Sequence, residues 1–220
     1  MRLVHVGTII DFAEDTVPTT PAYKIVRALG QGKPKTKVRE PGVNIQDDKM
    51  KVKFNWSYED CRVLTESRQS QTESIEGVVE IIESINEVAP IGKLKRIGYD
   101  AFWILPMKNR DFGSLNELYK ETMIKQVPFI GEAIDSSVVL DFNRGDFTLH
   151  HQSGPMEPLQ LQGQYLEFDG GKLPKLFLFL ITGTVYFKVV EYSKEAITNI
   201  FNIASEHCER HSKEFAKLWE

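Results

Sequence analysis

The chain has 220 residues, 41% of them hydrophobic and 26% charged, which is enough apolar material for one large domain or two small ones. With 27 basic against 31 acidic residues the net charge is -4, and that balance argues against strong non-specific binding to nucleic acid or to an anionic membrane. Two cysteines, Cys61 and Cys208, are too few for a disulfide scaffold and fit no metal-ligand spacing, so a reducing, cytoplasmic setting is expected.

The opening residues, Met1-Arg2-Leu3-Val4-His5-Val6-Gly7, are followed by Asp11 and Glu14 without the small-residue cleavage pattern of a secretory leader. Residues 2–12 alternate, with Val4, Val6, Thr8, Ile10 and Phe12 on one face, which predicts a strand. Thr20-Pro21 is a helix start and Gly30 a stop, with Tyr23, Ile25, Val26 and Leu29 between them. Residues 30–42 are rich in Gly, Pro and Lys and lack apolar periodicity, so they read as a loop. Met50, Val52, Phe54 and Trp56 alternate with lysines and Asn55 as a half-buried antiparallel strand does. Tyr58-Glu59-Asp60 is the turn, and 61–66 the return strand.

Ser70 and Glu73 form a capping box for a helix whose apolar stripe is Ile75, Val78, Val79, Ile82 and Ile85. A strand follows, with Ile97, Tyr99, Ala101 and Trp103 on one face. The order strand, helix, strand, strand, helix, strand predicts a ferredoxin-like βαββαβ unit over residues 1–106.

The second unit, 107–220, opens with a capping box at Ser114 and Glu117. Four strands are expected next: one through Val138, Leu140 and Phe142, one from Phe147 after the turn Asn143-Arg144-Gly145-Asp146, one over 159–168 and one over 175–191. Leu176 to Val190 is the most apolar run, but Thr182, Gly183, Thr184 and Lys188 interrupt it. It reads as a buried strand, too short for a membrane-spanning helix, and no membrane contact is expected. A long helix over 194–218 ends the chain. The fold class is therefore α+β: the ferredoxin-like first half, then helix, four-stranded antiparallel meander and C-terminal helix, with the two units packed as one body. No internal repeat is visible at residue level.

Two segments carry a resemblance. Arg96-Ile97-Gly98-Tyr99 opens a strand after an apolar helix, and the ending from Ile200-Phe201 through His207 to Trp219 is a long helix with a histidine and a terminal tryptophan. Together they resemble a sporadically distributed bacterial family of uncharacterised proteins. That family has a Tyr-Ile-Asn-like run after the strand motif, where this chain has Asp100-Ala101-Phe102-Trp103. The resemblance implies no activity.

Candidate chemistry is sparse. His207 and His211 lie one helical turn apart and are candidate metal ligands, against the plainer reading of a solvated helix face. His150 and His151 point to opposite faces of a strand, so one of them at most faces a pocket as a general base. Arg27, Lys33, Lys35, Lys37 and Arg39, with Lys49, Lys51 and Lys53 beyond, form a basic cluster suited to phosphates or to an acidic protein; the alternative is a solvated loop and a lysine-protected edge. Asp11, Glu14 and Asp15, and Asp141 with Asp146, have no calcium-loop spacing and read as turn and cap groups. Tyr165, Phe168, Phe177, Phe179, Tyr186 and Phe187 load the meander with aromatics, for a core or for an apolar ligand cavity.

The function expected from these residues is that of a non-enzymatic binding or interaction protein of a bacterial or phage cytoplasm. Its partner is another protein or a second copy of itself, with no cofactor and no assigned catalytic residue. Two alternatives stand beside it. One is a small-molecule-binding protein or enzyme that uses a meander cavity with His150 or His151. The other is a nucleic-acid-binding module that uses the basic stretch 24–53.

Overall fold

Two long alternating strands form the centre of the sheet. The structure, a computed structural model, describes residues 1–12, 35–39, 42–47, 52–57, 62–67, 71–88, 90–124, 135–161 and 173–220. In chain order these form β1 (Arg2–Phe12), β2 (Lys35–Arg39), β3 (Gly42–Asp47), β4 (Val52–Ser57), β5 (Arg62–Ser67), α1 (Gln71–Val88), β6 (Lys93–Pro106) and α2 (Phe112–Tyr119). A π-helical turn (Lys120–Ile124) extends α2, and β7 (Val138–Arg144), β8 (Phe147–Met156), a 3₁₀ turn (Pro158–Leu161), β9 (Phe177–Tyr186), β10 (Val190–Glu191) and α3 (Lys194–Lys217) follow. Among the described residues the strands make one antiparallel sheet in the order β2-β3-β4-β5-β1-β6-β9-β8-β7, with β10 joined to β6. The chain is α+β, and its sheet runs without a break from the first expected unit into the second.

The topology repeats although the residues do not. A long strand (β1, then β6) is followed by a meander that returns to pair with it (β2 to β5 on β1, then β7 to β9 on β6). Each meander leads into a helix, α1 and then α3, and both helices contribute to one core on one face of the sheet. Period-2 alternation supplies the sheet side of that core: Val6 and Ile10, Tyr99 and Ala101, Leu178 and Leu180, Phe147 and Leu149. Val78, Val79, Ile82 and Ile85 of α1 and Ile197, Ile200, Phe201 and Ala204 of α3 supply the helix side at helical spacing. Tyr192, just ahead of α3, hydrogen-bonds Glu83 of α1 and so ties the two helices together. The opposite face buries a smaller cluster of Phe102, Ile104, Leu161, Phe177 and Phe179.

Several expectations change. Residues 35–39, inside the expected loop 30–42, form a strand that pairs with 42–47 as a hairpin. The alternation Lys35, Thr36, Lys37, Val38, Arg39 is strand-like, but the surrounding Gly and Pro content hides it. Val4 leaves the face of Val6 and Ile10 and packs with Phe102 and Ile104, because the register shifts between Leu3 and His5. Helix α2 is capped by Asp111, whose carboxylate accepts the Ser114 N–H at 2.9 Å, and not by Ser114.

Residues 158–161 are a 3₁₀ turn rather than a strand, opened by Pro158, which has no N–H for a ladder. The long last strand stops at Tyr186, and Val190–Glu191 pairs separately with β6. The described meander of the second half is therefore β7-β8-β9. The expected helix behind Thr20-Pro21, the turn at Tyr58-Glu59-Asp60, the Ser70 cap, Tyr165 and Phe168 lie outside the described residues.

One close approach fixes the central register. Gly98 faces Ile9, and a Cβ at position 98 would collide with Ile9 Cγ2. Gly98→Ala is expected to destabilise the protein by about 1–3 kcal/mol through overpacking against a stiff β-branched neighbour. Ile9→Ala should then be less damaging in the Gly98→Ala background than alone, as measured by urea unfolding of both single variants and the double variant. Additive losses would contradict the collision.

Candidate functional site

On β8, His151 and Ser153 are two residues apart and therefore share the helix side of the sheet. Tyr119 arrives from the last turn of α2 and His211 from the C-terminal third of α3, which brings three elements to one point. Tyr119 Oη donates to the Ser153 carbonyl at 2.8 Å and lies 2.8 Å from Ser153 Oγ. That hydroxyl is 2.7 Å from His151 Nε2, and His151 Nδ1 is 2.7 Å from His211 Nε2. The result is a continuous hydrogen-bonded chain of Tyr119, Ser153, His151 and His211. With the Tyr119 proton on the Ser153 carbonyl, one order of donation satisfies the chain: Ser153 Oγ–H donates to Tyr119 Oη, His151 Nε2–H to Ser153 Oγ, and His211 Nε2–H to His151 Nδ1.

Aromatic rings enclose this chain. Trp219 stacks on Tyr119 at a centroid distance of 5.7 Å, Phe215 meets the edge of His151 and Phe142 tilts against His211. Ser153 is 0% exposed and His151 3%. Burial, with the His211 and His150 rings adding to it, pushes the His151 imidazole down to about 4. Burial also lowers His211; Arg144 lowers it further, and Glu214 opposes both. The Tyr119 hydroxyl is raised by burial against the opposing Ser153 hydrogen bond.

Serine, base and a second histidine in line are the parts of a nucleophilic triad. Here the Ser153 hydroxyl is held between Tyr119 and His151 and sealed from solvent, which leaves no approach for an acyl carbon. The arrangement works as a buried polar bridge that joins α2, β8 and α3 with its hydrogen bonds satisfied.

The other candidates are engaged separately. His150 points to the opposite face and meets Asp141 at 2.8 Å. Asp146 pairs with Lys188 at 2.6 Å, and Asp11 with Arg96 at 2.7 Å. His207 and His211 share a helix face but not a ligand point: His207 Nδ1 lies 2.8 Å from Arg210 Nη2 and its ring rests against Phe147, whereas His211 turns to His151. Among the described residues no three His, Cys, Asp or Glu side chains gather as a metal site. Arg27 and Lys33 lie outside the described residues. Lys35, Lys37 and Arg39 occupy alternate positions of β2, which is the outermost strand at its end of the sheet among the described residues.

Neither His150 nor His151 lines the open recess of about 280 Å³ that Ser136, Gln152, Met156, Gln160 and Phe179 border on the face away from the helices. No described helix is long and apolar enough to cross a membrane.

Sequence reasoning missed Ser153, for which the His-x-Ser spacing on one strand face was the available signal; Tyr119 lies 34 residues from it in sequence, with no local signal. A second feature also escapes residue typing: among the described residues β7 is an end strand of the sheet, and Val139 and Leu140 on it are 55% and 45% exposed. No family model and no curated protein matches the chain.

The bridge makes a pH prediction. An unfolded histidine takes up a proton near 6.5, whereas folded His151 resists until about 4. Between those values the unfolded chain binds more protons, so stability present above pH 6.5 is lost as pH falls towards 4. Urea midpoints at pH 7, 6 and 5 should show a loss of roughly 1–2 kcal/mol per pH unit, and His151→Gln should flatten the slope without abolishing it, because His211 and His207 are also lowered. Equal stability at pH 7 and pH 5 would contradict the buried neutral pair.

Proposed function

We propose that this chain is a non-enzymatic interaction protein that receives an extended protein segment along the open edge of β7. The observation that carries this reading is the contrast between the two ends of the sheet. At one end β2 has Lys35, Lys37 and Arg39 at alternate positions, the usual way of blunting an edge against added strands. At the other end β7 is paired on one side only among the described residues, and it offers exposed Val139 and Leu140. An edge strand with exposed apolar side chains is the docking feature used in β-strand addition, where main-chain hydrogen bonds give affinity and alternate side chains give selectivity.

The sealing of Ser153 and His151 supports a non-enzymatic role, since the one nucleophile–base geometry in the described residues is closed to substrate. The cytoplasmic setting, the bacterial or phage origin and membership of the resembled bacterial family belong to the same proposal. So does the ferredoxin-like reading of the first half. Its support is that β4-β5-β1-β6 are consecutive in the sheet and α1 crosses from β5 to β6 around β1.

Affinity capture from a bacterial lysate tests the edge. Wild-type protein is expected to retain proteins that a Val139→Lys, Leu140→Lys variant of equal thermal stability loses. The same retained set for both proteins would overturn the edge as the interaction surface.

A further inference from the structure

We infer that the partner for which the β7 edge is built is a second copy of this chain, joined antiparallel through β7 about a twofold axis at Leu140. This rests on the edge reading above and adds the identity of the occupant.

The argument starts from which side chains share a face. Val138 pairs with Ser153, Leu140 with His151 and Phe142 with Leu149, so the even-numbered residues of β7 lie on the helix side. Val139, Asp141 and Asn143 lie on the other side. A twofold axis perpendicular to the sheet keeps each face on its own side, so it must pass through a residue position and not between two. The choice is therefore among a few centres.

Centred on Leu140, the pairing sets Leu140 against Leu140 of the second copy and Val138 against Phe142. The helix side then becomes a six-residue apolar stripe, and Val139 lies against Asp141 on the other face. Arg144 comes opposite Ser136 and next to Asp135, all three outside the five paired positions. Arg144 and Asp135 are both exposed, so a cation of one copy comes within one residue position of a carboxylate of the other at each end of the contact.

The neighbouring centres do worse. Centring on Asp141 puts two carboxylates directly opposite each other, which is destabilising across a strand pair. Centring on Phe142 sets Leu140 against Arg144 and leaves Val138 and Val139 beyond the paired positions. Centring on Val139 reduces the overlap of the two β7 strands to residues 138–140 and sets Phe142 against Ser136. One register alone covers Val139 and Leu140, avoids like charges and matches apolar with apolar on the helix side.

Five paired residues a side make a small contact, below the area of a permanent dimer, so the association is expected to depend on concentration with a dissociation constant of roughly 10–100 µM. Sedimentation velocity of the full chain across that range should show the 25.2 kDa monomer shifting towards twice its mass. Leu140→Lys should weaken the association at least about tenfold, because it places two ammonium groups opposite each other.

Cysteine pairing reads the register without that variant. In a Cys61→Ser background, with Cys208 buried and therefore inert, Leu140→Cys should form a disulfide-linked dimer under mild oxidation. Opposed Cα atoms in an antiparallel pair fall within disulfide reach. Val139→Cys should form it poorly, because position 139 faces position 141.

A chain that stays monomeric at 100 µM would overturn the self-pairing. If lysate capture still depended on Val139 and Leu140, the edge reading would stand with another protein as occupant. A dimer unaffected by Leu140→Lys, or one that Val139→Cys crosslinks as well as Leu140→Cys does, would also overturn the inference.

Discussion

The pairing of β1 with β6 is the constraint on which the rest of this molecule depends. It runs from Arg2 opposite Ile104 to Phe12 opposite Leu94 and lies at the seam between the two halves of the chain. Two glycines make it possible. Gly98 leaves room for Ile9, and Gly7 leaves room for the Asp100 carboxylate that lies over it. With that register set, one face of both strands turns towards α1 and α3, and each meander has one central strand to return to. Shifting the pair by one residue would exchange Tyr99 and Ala101 for Gly98 and Asp100 beneath the helices, so the register is strongly specified.

Among the described residues, a sheet built outward from its middle ends in two edges. The β2 end carries cations at alternate positions, whereas the β7 end carries Val139 and Leu140. The polar chain of Tyr119, Ser153, His151 and His211 lies just inside the β7 end, beneath α2 and α3. Its hydrogen bonds connect the strand next to the edge with both helices. The edge is thus presented on a rigid support, and a rigid edge loses less conformational entropy when a strand is added.

Sequence periodicity was a good guide where one face is buried and the other is not. The bounds of β1, β6 and α3 follow from Val6 and Ile10, from Tyr99 and Trp103, and from Ile197 to Phe215, because burial imposes those patterns directly. The β2–β3 hairpin was missed because its alternation uses Lys and Thr, residues that also fill loops. The bulge that turns Val4 to the other face left no mark in residue type. Among the site residues, the opposite orientations of His150 and His151 were readable from strand geometry, whereas Ser153, two residues on and on the same face as His151, was missed because the pair matches no nucleophile motif. The contact of His151 with His211 spans 60 residues and depends on how α3 crosses β8, which no local pattern encodes. The exposure of Val139 and Leu140 depends on strand order, since β7 would be an ordinary interior strand with one more neighbour.

Hydrogen exchange along β7 as a function of protein concentration tests the central claim most directly. In dilute protein the outward amides of β7 should exchange far faster than those of β9, which has a strand on each side. On concentrating the protein they should slow, while β9 stays unchanged. Protection of every β7 amide in dilute protein, equal to that of β9, would show that the edge is closed and would contradict the account.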